Sequence, residues 1–335
     1  MPRSKKKILV IRFSSIGDIV LTSPVVRCLK QQLNAEVHFL TKTAYASIVK
    51  PNPNIDKVFE IKKQVSEVLS ELKAERYDYI IDLHKNIRSL QVKFALGVKA
   101  SAFDKLNYEK WLMTNFKINK LPAIHIVDRY LKSIAYLGVK NDGKGLDYFI
   151  PEEETFDFEK YALNERPYIA FAIGAAHRTK RLPPEKIAEI CAGMEVPVVL
   201  LGGPGDAETA TVIVEQASGS QVVNFCGELN LHQSASLIRQ SSLVITHDTG
   251  MMHIAAAFHK PILSVWGNTI PEFGMYPYYP EGIDKNRSFQ VEGLSCRPCD
   301  KIGYEVCPKG HFKCMEEQNV AGIVAAANEQ LKSLS

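Results

Sequence analysis

Residues 7–18 read Lys-Ile-Leu-Val-Ile-Arg-Phe-Ser-Ser-Ile-Gly-Asp. Lys7–Phe13 is a short apolar run, the pattern of a strand buried on both faces. Ser14 to Gly17 makes a tight polar turn, and Asp18 opens a helix that runs to about Gln32. A strand, a turn and a helix in that order begin a parallel, doubly wound sheet. The turn holds one glycine and no G-x-G-x-x-G, so a dinucleotide fingerprint is absent.

The same alternation continues outward. Strands are expected at Glu36–Leu40, Val58–Ile61 and Asp78–Leu83, with helical periodicity around Val65–Lys73 and at Asn86–Leu96. Residues 98–147 are mixed and aromatic, with an amphipathic helix at His125–Leu137. Pro151–Asp157 is short, acidic and polar, the best linker in the chain. The alternation then restarts, with strands at Tyr168–Ile173, Pro197–Gly202, Val222–Cys226, Leu243–Thr246 and Pro261–Val265. Helices are expected between them at Pro184–Met194, Asp206–Ala217, Leu231–Gln240 and Gly250–Ala257, and a terminal helix from Glu316. The fold class is therefore α/β, with two Rossmann-like domains over residues 1–155 and 156–335. Two such domains facing each other would place a cleft at the carboxyl ends of both sheets.

Composition agrees. The chain has 335 residues, 46% of them apolar and 23% charged, which excludes a disordered, collagen-like or coiled-coil protein. Lys and Arg number 41 against 37 Asp and Glu, a net charge of +4. That excess is too small to argue for nucleic acid, but suits an anionic substrate or an anionic membrane surface. No apolar stretch is long enough to span a membrane. Arg12 and Asp18 interrupt the N-terminal apolar run, no A-x-A site follows, and a cytoplasmic protein is expected. The basic start, Arg3, Lys5, Lys6 and Lys7, permits peripheral contact with the inner membrane.

Five constellations carry candidate chemistry. Asp18 reads either as a helix-capping acid or as a general base at a strand end. His177-Arg178-Thr179-Lys180-Arg181 reads as a solvated loop, or as cations that neutralise a diphosphate without a metal. Thr246-His247-Asp248-Thr249-Gly250-Met251-Met252-His253 joins a strand to an Ala-rich helix whose free amides would grip a phosphate. His253 near its first turn reads also as a core or capping histidine. Gly202-Gly203-Pro204-Gly205-Asp206-Ala207-Glu208 offers an acid for a ribose diol or for a helix cap. Finally, Cys296, Cys299, Cys307 and Cys314 form a Cys-rich segment, 296–314, that reads as a structural zinc site, as free thiols or as two disulfides.

Together these motifs resemble glycosyltransferase family 9, the bacterial heptosyltransferases of lipopolysaccharide core synthesis. The carrying residues are Ile8–Val20, Pro51-Asn52-Pro53-Asn54-Ile55-Asp56, Asp82-Leu83-His84-Lys85-Asn86-Ile87-Arg88-Ser89, Lys180 ahead of Pro183, His247–Ala257, and Pro261–Gly267 with Asn268 and Thr269. The resemblance implies a GT-B fold and an inverting, metal-independent transfer from ADP-heptose to an anionic, Kdo-containing lipid A core. It implies an acceptor-binding first domain and a nucleotide-sugar-binding second domain. Asp18 matches the family's base and Lys180 its phosphate-facing lysine. Asp248, Thr249, Gly250 and His253 match its donor motif, and Arg88 and Arg129 fall at basic acceptor contacts. Arg12 and Lys85 add further cations for the acceptor. The chain departs from the family at Leu182, where an aromatic is frequent, and after Gly267, where it reads Asn-Thr-Ile-Pro. Another nucleotide-sugar therefore stays open as the donor. A nicotinamide-dependent oxidoreductase is disfavoured by the missing fingerprint, and a non-catalytic nucleotide-sugar sensor by Asp18 and Lys180.

Overall fold

The computed structural model describes residues 5–159, 161, 166–217 and 219–333. The chain divides into two compact units. The first runs to Lys105 and takes in Ile124–Phe149, and the second holds Leu106–Ala123 and everything from Ile150. The expected division at 155/156 thus shifts by a few residues, and Leu106–Ala123 moves to the second unit. Lys117 explains the move, because its Nζ donates to the carbonyls of Cys296 (3.2 Å) and Pro298 (2.7 Å).

In the first unit the strands are β1 (Lys7–Ile11), β2 (Glu36–Lys42), β3 (Lys57–Ile61), β4 (Tyr79–Asp82) and β5 (Lys99–Ala102). They form a sheet in the order β3-β2-β1-β4-β5, with every neighbouring pair parallel. β1 is central, and Ile8, Leu9, Val10 and Ile11 are fully buried, as its unbroken apolar run requires. The expected helix at 18–32 is two helices, α1 (Ile16–Val20) and α2 (Ser23–Leu33). Thr22 Oγ1 donates to the Ile19 carbonyl and Ser23 Oγ to that of Val20, each at 2.7 Å. Such back-bonding, followed by Pro24, ends one helix and starts the next. Buried Arg27 of α2 then holds Asp142 (2.7 Å) and Asp147, which fixes the returning segment.

Next come α3 (Ala46–Val49), α4 (Leu69–Ala74) and α5 (Ile87–Leu96). α5 starts at a reciprocal cap: Asn86 Oδ1 accepts from Ser89 N and Ser89 Oγ from Asn86 N, both at 2.9 Å. α6 (Asn107–Phe116) belongs to the second unit and buries none of its residues. The helix expected at 125–137 is α7 (Ile126–Lys132) followed by a 3₁₀ turn at Ala135–Leu137.

The second unit holds β6 (Ile169–Ala172), β7 (Val198–Leu201), β8 (Val222–Asn224), β9 (Leu243–His247), β10 (Ile262–Trp266) and β11 (Asn286–Gln290). Their order is β11-β10-β9-β6-β7-β8, again parallel throughout. Its helices are α8 (Pro184–Ala192), α9 (Ala207–Gln216), α10 (Leu231–Gln240), α11 (Gly250–Ala257), α12 (Lys313–Glu316) and α13 (Val320–Lys332). Among the described residues, no helix is long and apolar enough to cross a membrane.

The two sheets share one consequence. In each, the first three strands proceed to one side and the next strands to the other. The direction reverses between β1 and β4 in the first unit and between β6 and β9 in the second. Loops leaving the carboxyl ends at such a switch point diverge and leave a ligand crevice.

Candidate functional site

The chain leaves β1 toward Asp18 and leaves β4 toward His84–Arg88, so both segments border the switch point of the first sheet. Asp18 lies in the first turn of α1. Its Oδ2 accepts from Ser15 N (3.2 Å) and Ser15 Oγ (2.9 Å), so the capping role is present. Its Oδ1 meets Arg12 Nη2 at 2.7 Å, and a fifth of the side chain stays exposed. Burial alone would raise its pKa. The Arg12 charge and the Ser15 donors outweigh burial and hold the carboxyl below the usual range.

Arg12 is buried. Besides Asp18 it donates to the carbonyls of Ser14 (2.7 Å) and Leu83 (2.6 Å) and to Tyr130 Oη (3.1 Å). Where the sequence reading offered Arg12 to an acceptor, these contacts place its donors on groups inside the unit, with Asp18 as its counter-ion. Arg129 is also buried, with Nη1 on the Asp104 carbonyl at 3.2 Å, and burial lowers its pKa. It therefore sits inside the unit. Lys85 and Arg88 are exposed as expected. His84 received no role from the sequence. Its ring stands edge-on to Phe13, centroids 5.2 Å apart, and burial, then the charge of Arg12, push its pKa down to about 4.

In the second unit, the basic loop leaves β6 and the Asp248 turn leaves β9, again bordering the switch point. Lys180 Nζ meets Asp248 Oδ2 at 2.6 Å, and both side chains are largely buried. Thr269 Oγ1 donates to the same Oδ2 at 2.9 Å. α11 begins at Gly250 after the extended Thr249, so its first-turn amides have no acceptor within the helix. A cation, a threonine hydroxyl and a helix N-terminus thus converge on one turn, an arrangement suited to a phosphate. His253 is buried one turn into α11.

Two residues to which the sequence assigned no role of their own hold this loop. His247 Nε2 accepts from Leu182 N at 3.0 Å. Burial, then the Arg181 charge, drop its pKa to about 3, so it acts as a neutral acceptor. Gly267 touches the loop from β10, since a Cβ there would lie 2.6 Å from the Thr179 carbonyl. Beside it Asn268 is 1% exposed, and its amide oxygen and nitrogen find no partner among the described residues. A buried amide left unpaired is costly, which makes this the first place to look for a bound polar group.

Asp206 reads differently from the expected ribose contact. Its Oδ1 meets Arg181 Nη1 at 2.8 Å and its Oδ2 accepts from Gly203 N at 2.9 Å. It is buried, and a Cβ on Gly174 would come within 2.3 Å of it. In this arrangement the acid braces Arg181 and the glycine turn, and it makes no side-chain cap to α9. Glu208 is exposed in the first turn of α9.

The four clustered cysteines are free thiols, with Cys314 buried and the others half-buried. Among the described residues, the His, Cys, Asp and Glu ligand atoms gathered within 4.8 Å of one another are those of Glu36, His38 and Glu75. The cysteines expected to hold zinc are not among them, although Cys296, Cys299, Cys307 and Cys314 lie near enough to act on one another's charge. Burial and neighbouring thiols push Cys299 up to about 11 and Cys314 to about 12, which favours the protonated form. The Glu36–His38–Glu75 group is itself ion-paired. Lys7 Nζ lies 3.1 Å from Glu36 and 2.6 Å from Glu75, and Lys57 lies 2.7 Å from Glu75. The hydrogen bonds from Lys57 and Lys7 pull Glu75 down to about 2.

The family model for glycosyltransferase family 9 (heptosyltransferase) matches residues 65–303. The lipooligosaccharide heptosyltransferase 2 of Haemophilus influenzae is 26% identical over 326 residues, covering 88% of this chain and 92% of its own. Among solved structures, the glycosyl transferase family 9 protein of Veillonella parvula superposes with a TM-score of 0.75 at 23% identity, covering 99% of both chains. The Escherichia coli ADP-heptose lps heptosyltransferase II superposes with a TM-score of 0.68 at 21% identity, covering 96% of this chain and 99% of its own. The fold of two parallel-sheet, Rossmann-like units is the GT-B fold.

Proposed function

Because the chain belongs to glycosyltransferase family 9, the heptosyltransferase family, we propose that it moves heptose from ADP-heptose to the Kdo-bearing inner core of a lipopolysaccharide acceptor, with inversion. The observation that carries this reading is the Lys180–Asp248 pair at the start of α11, a cation beside a helix N-terminus that suits a diphosphate. Lys180, Thr249 and the Gly250 amide meet the diphosphate, with His253 behind them. Glu208 is an exposed acid on the same unit, available to the ribose. The acceptor hydroxyl gives its proton to Asp18 as its oxygen attacks the anomeric carbon. The bond from that carbon to the diphosphate oxygen breaks, and ADP leaves with the electron pair. Lys180 and the helix amides balance the growing charge, so no metal cofactor is required for catalysis. Lys85 and Arg88 supply cations for the anionic acceptor. Arg12 supports the reaction through Asp18, which it keeps ionised. The enzyme works in the cytoplasm, peripherally at the inner membrane, where its acceptor is anchored.

A second reading within the family, a different nucleotide-sugar, rests on the departure after Gly267, where the buried Asn268 side-chain amide has no partner among the described residues. Thermal unfolding against ADP, UDP, GDP, CMP, NAD and ADP-heptose separates the two. Ligand at about 100 times its Kd adds roughly 2.7 kcal/mol, a shift of a few degrees. A shift for ADP and ADP-heptose alone supports the first reading. A shift for UDP or GDP replaces the donor, and one for NAD alone removes the transferase assignment.

A further inference from the structure

The solvent face of α5 is apolar. Ile87, Leu90 and Phe94 are 77, 46 and 79% exposed, and they fall at i, i+3 and i+7, one stripe of a helix. The residues that α5 does bury, Ser89 and Val92, face the opposite way. No acidic residue occurs from Leu83 to Phe103, whereas Lys85, Arg88, Lys93 and Lys99 do. Asp82 takes up Lys93 at 2.8 Å, and Lys99 lies over the Tyr136 ring at 5.0 Å. Lys85 and Arg88 remain exposed. At the N-terminal end of the helix is an open pocket of about 870 Å³, whose lining includes Lys63, Ser66, Asn86, Ile87, Arg88 and Gln91. Two cations and Ile87 thus share one recess, and the apolar stripe runs on from it along α5.

We propose that this face docks on an anionic phospholipid bilayer. Lys63 meets lipid phosphate at the recess, while Ile87, Leu90 and Phe94 enter among the upper acyl carbons. Charge selects this occupant. A stripe of large apolar side chains on a helix that carries cations and no acid matches an interface with anionic headgroups above hydrocarbon, and the nearby Glu67 is taken up by the Lys62, Lys63 and Gln64 amides. The face begins at the 83–88 loop, which shares the carboxyl edge of the sheet with Asp18, so docking holds that edge toward the membrane. The inference deepens the proposed transfer to a lipid-anchored acceptor and rests on that reading for the acceptor alone.

Co-sedimentation of the full chain with vesicles tests it, using phosphatidylcholine alone and an equal mixture with phosphatidylglycerol. The protein pellets with the anionic vesicles, stays in solution with the neutral ones, and is released by salt. Lys63→Gln lowers the partition about fivefold and Phe94→Ser about tenfold. Both positions are exposed, so neither change disturbs the core. Trp111→Ser, at another exposed aromatic, leaves binding unchanged. Failure to pellet, equal binding to neutral vesicles, or loss with Trp111→Ser alone overturns the proposal. So does a change of oligomeric mass in Phe94→Ser without vesicles, which would assign the stripe to a second copy of the chain. Transfer to a soluble, delipidated acceptor is measured in parallel, and Phe94→Ser keeps it. Vesicle binding without transfer upholds docking and removes the proposed activity. Transfer without vesicle binding removes docking and upholds the activity.

Discussion

Replacing Arg12 with Leu removes four hydrogen-bonded contacts at once: Asp18, the Ser14 and Leu83 carbonyls, and the Tyr130 hydroxyl. The leucine fills part of the space but answers none of these groups. Breaking a buried ion pair from one side costs about 3–5 kcal/mol, because the other charge stays buried without its partner. For a unit of this size that is a drop of roughly 10 °C in melting temperature. The pH dependence carries the sharper test. In the native protein the Asp18 carboxyl is held below its ordinary value. It therefore contributes stability that is present above the unfolded pKa and is lost as pH falls through the folded one. Without Arg12 the burial that raises Asp18 is far less opposed, and the sign reverses: protonation then relieves the site. Urea titrations of both proteins should show the largest gap near neutral pH and a narrowing gap toward pH about 4. A gap under about 1 kcal/mol, or one that is constant with pH, would refute the argument that Arg12 serves mainly to keep Asp18 ionised.

Further outcomes are expected. Asp18→Asn should cut turnover by about 10²–10⁴ with donor affinity nearly intact, read by single-turnover kinetics and donor titration. Lys180→Ala should weaken ADP binding about 10- to 100-fold and slow transfer with it, as loss of a charge-assisted contact to phosphate would, and calorimetry would show it. Gly267→Ala should push the Thr179 carbonyl aside and raise the donor KM with a smaller effect on acceptor KM, since the methyl would sit 2.6 Å from that oxygen. His247 and His84 fold with pKa values near 3 and 4, below the unfolded value of about 6.5, so the unfolded chain binds more protons in between. Stability should then fall as pH drops below about 6.5, by about 1.4 kcal/mol per unit for each histidine while it stays neutral in the fold. Urea melts that are flat from pH 7 to 5 would contradict that.

The residues flanking the two switch points were legible because they follow unbroken apolar runs. β1, β6, β9 and β10 are buried almost throughout, so composition alone marks them. α10 and α11 fall at the expected bounds, since Asn230 caps one and Thr249 precedes the other. The edge strands β5 and β11 escaped notice because Lys-Ala-Ser-Ala and Asn-Arg-Ser-Phe-Gln are half-exposed and carry no period of two. α6 escaped because none of its residues is buried, and a helix without a buried stripe shows little amphipathic periodicity.

The site was legible in its chemistry and less so in its wiring. Strand ends and turn residues pointed to Asp18, Lys180 and the Asp248 turn. Nothing local could show that Arg12 would be met by Tyr130, 118 positions later, or that Asp206 would brace Arg181. Nor could spacing alone decide whether the four cysteines close on one another. A buried cation and a substrate-facing cation have the same letter in a sequence, and only the partners distinguish them.

The most direct measurement is the stereochemistry of the transfer. ADP-heptose and a delipidated Kdo acceptor are incubated with the enzyme, and the new linkage is read by proton NMR. The account predicts a heptosyl product whose anomeric configuration is inverted relative to the donor, with one ADP released per linkage. A product that retains the donor configuration would contradict single displacement with Asp18 as the base.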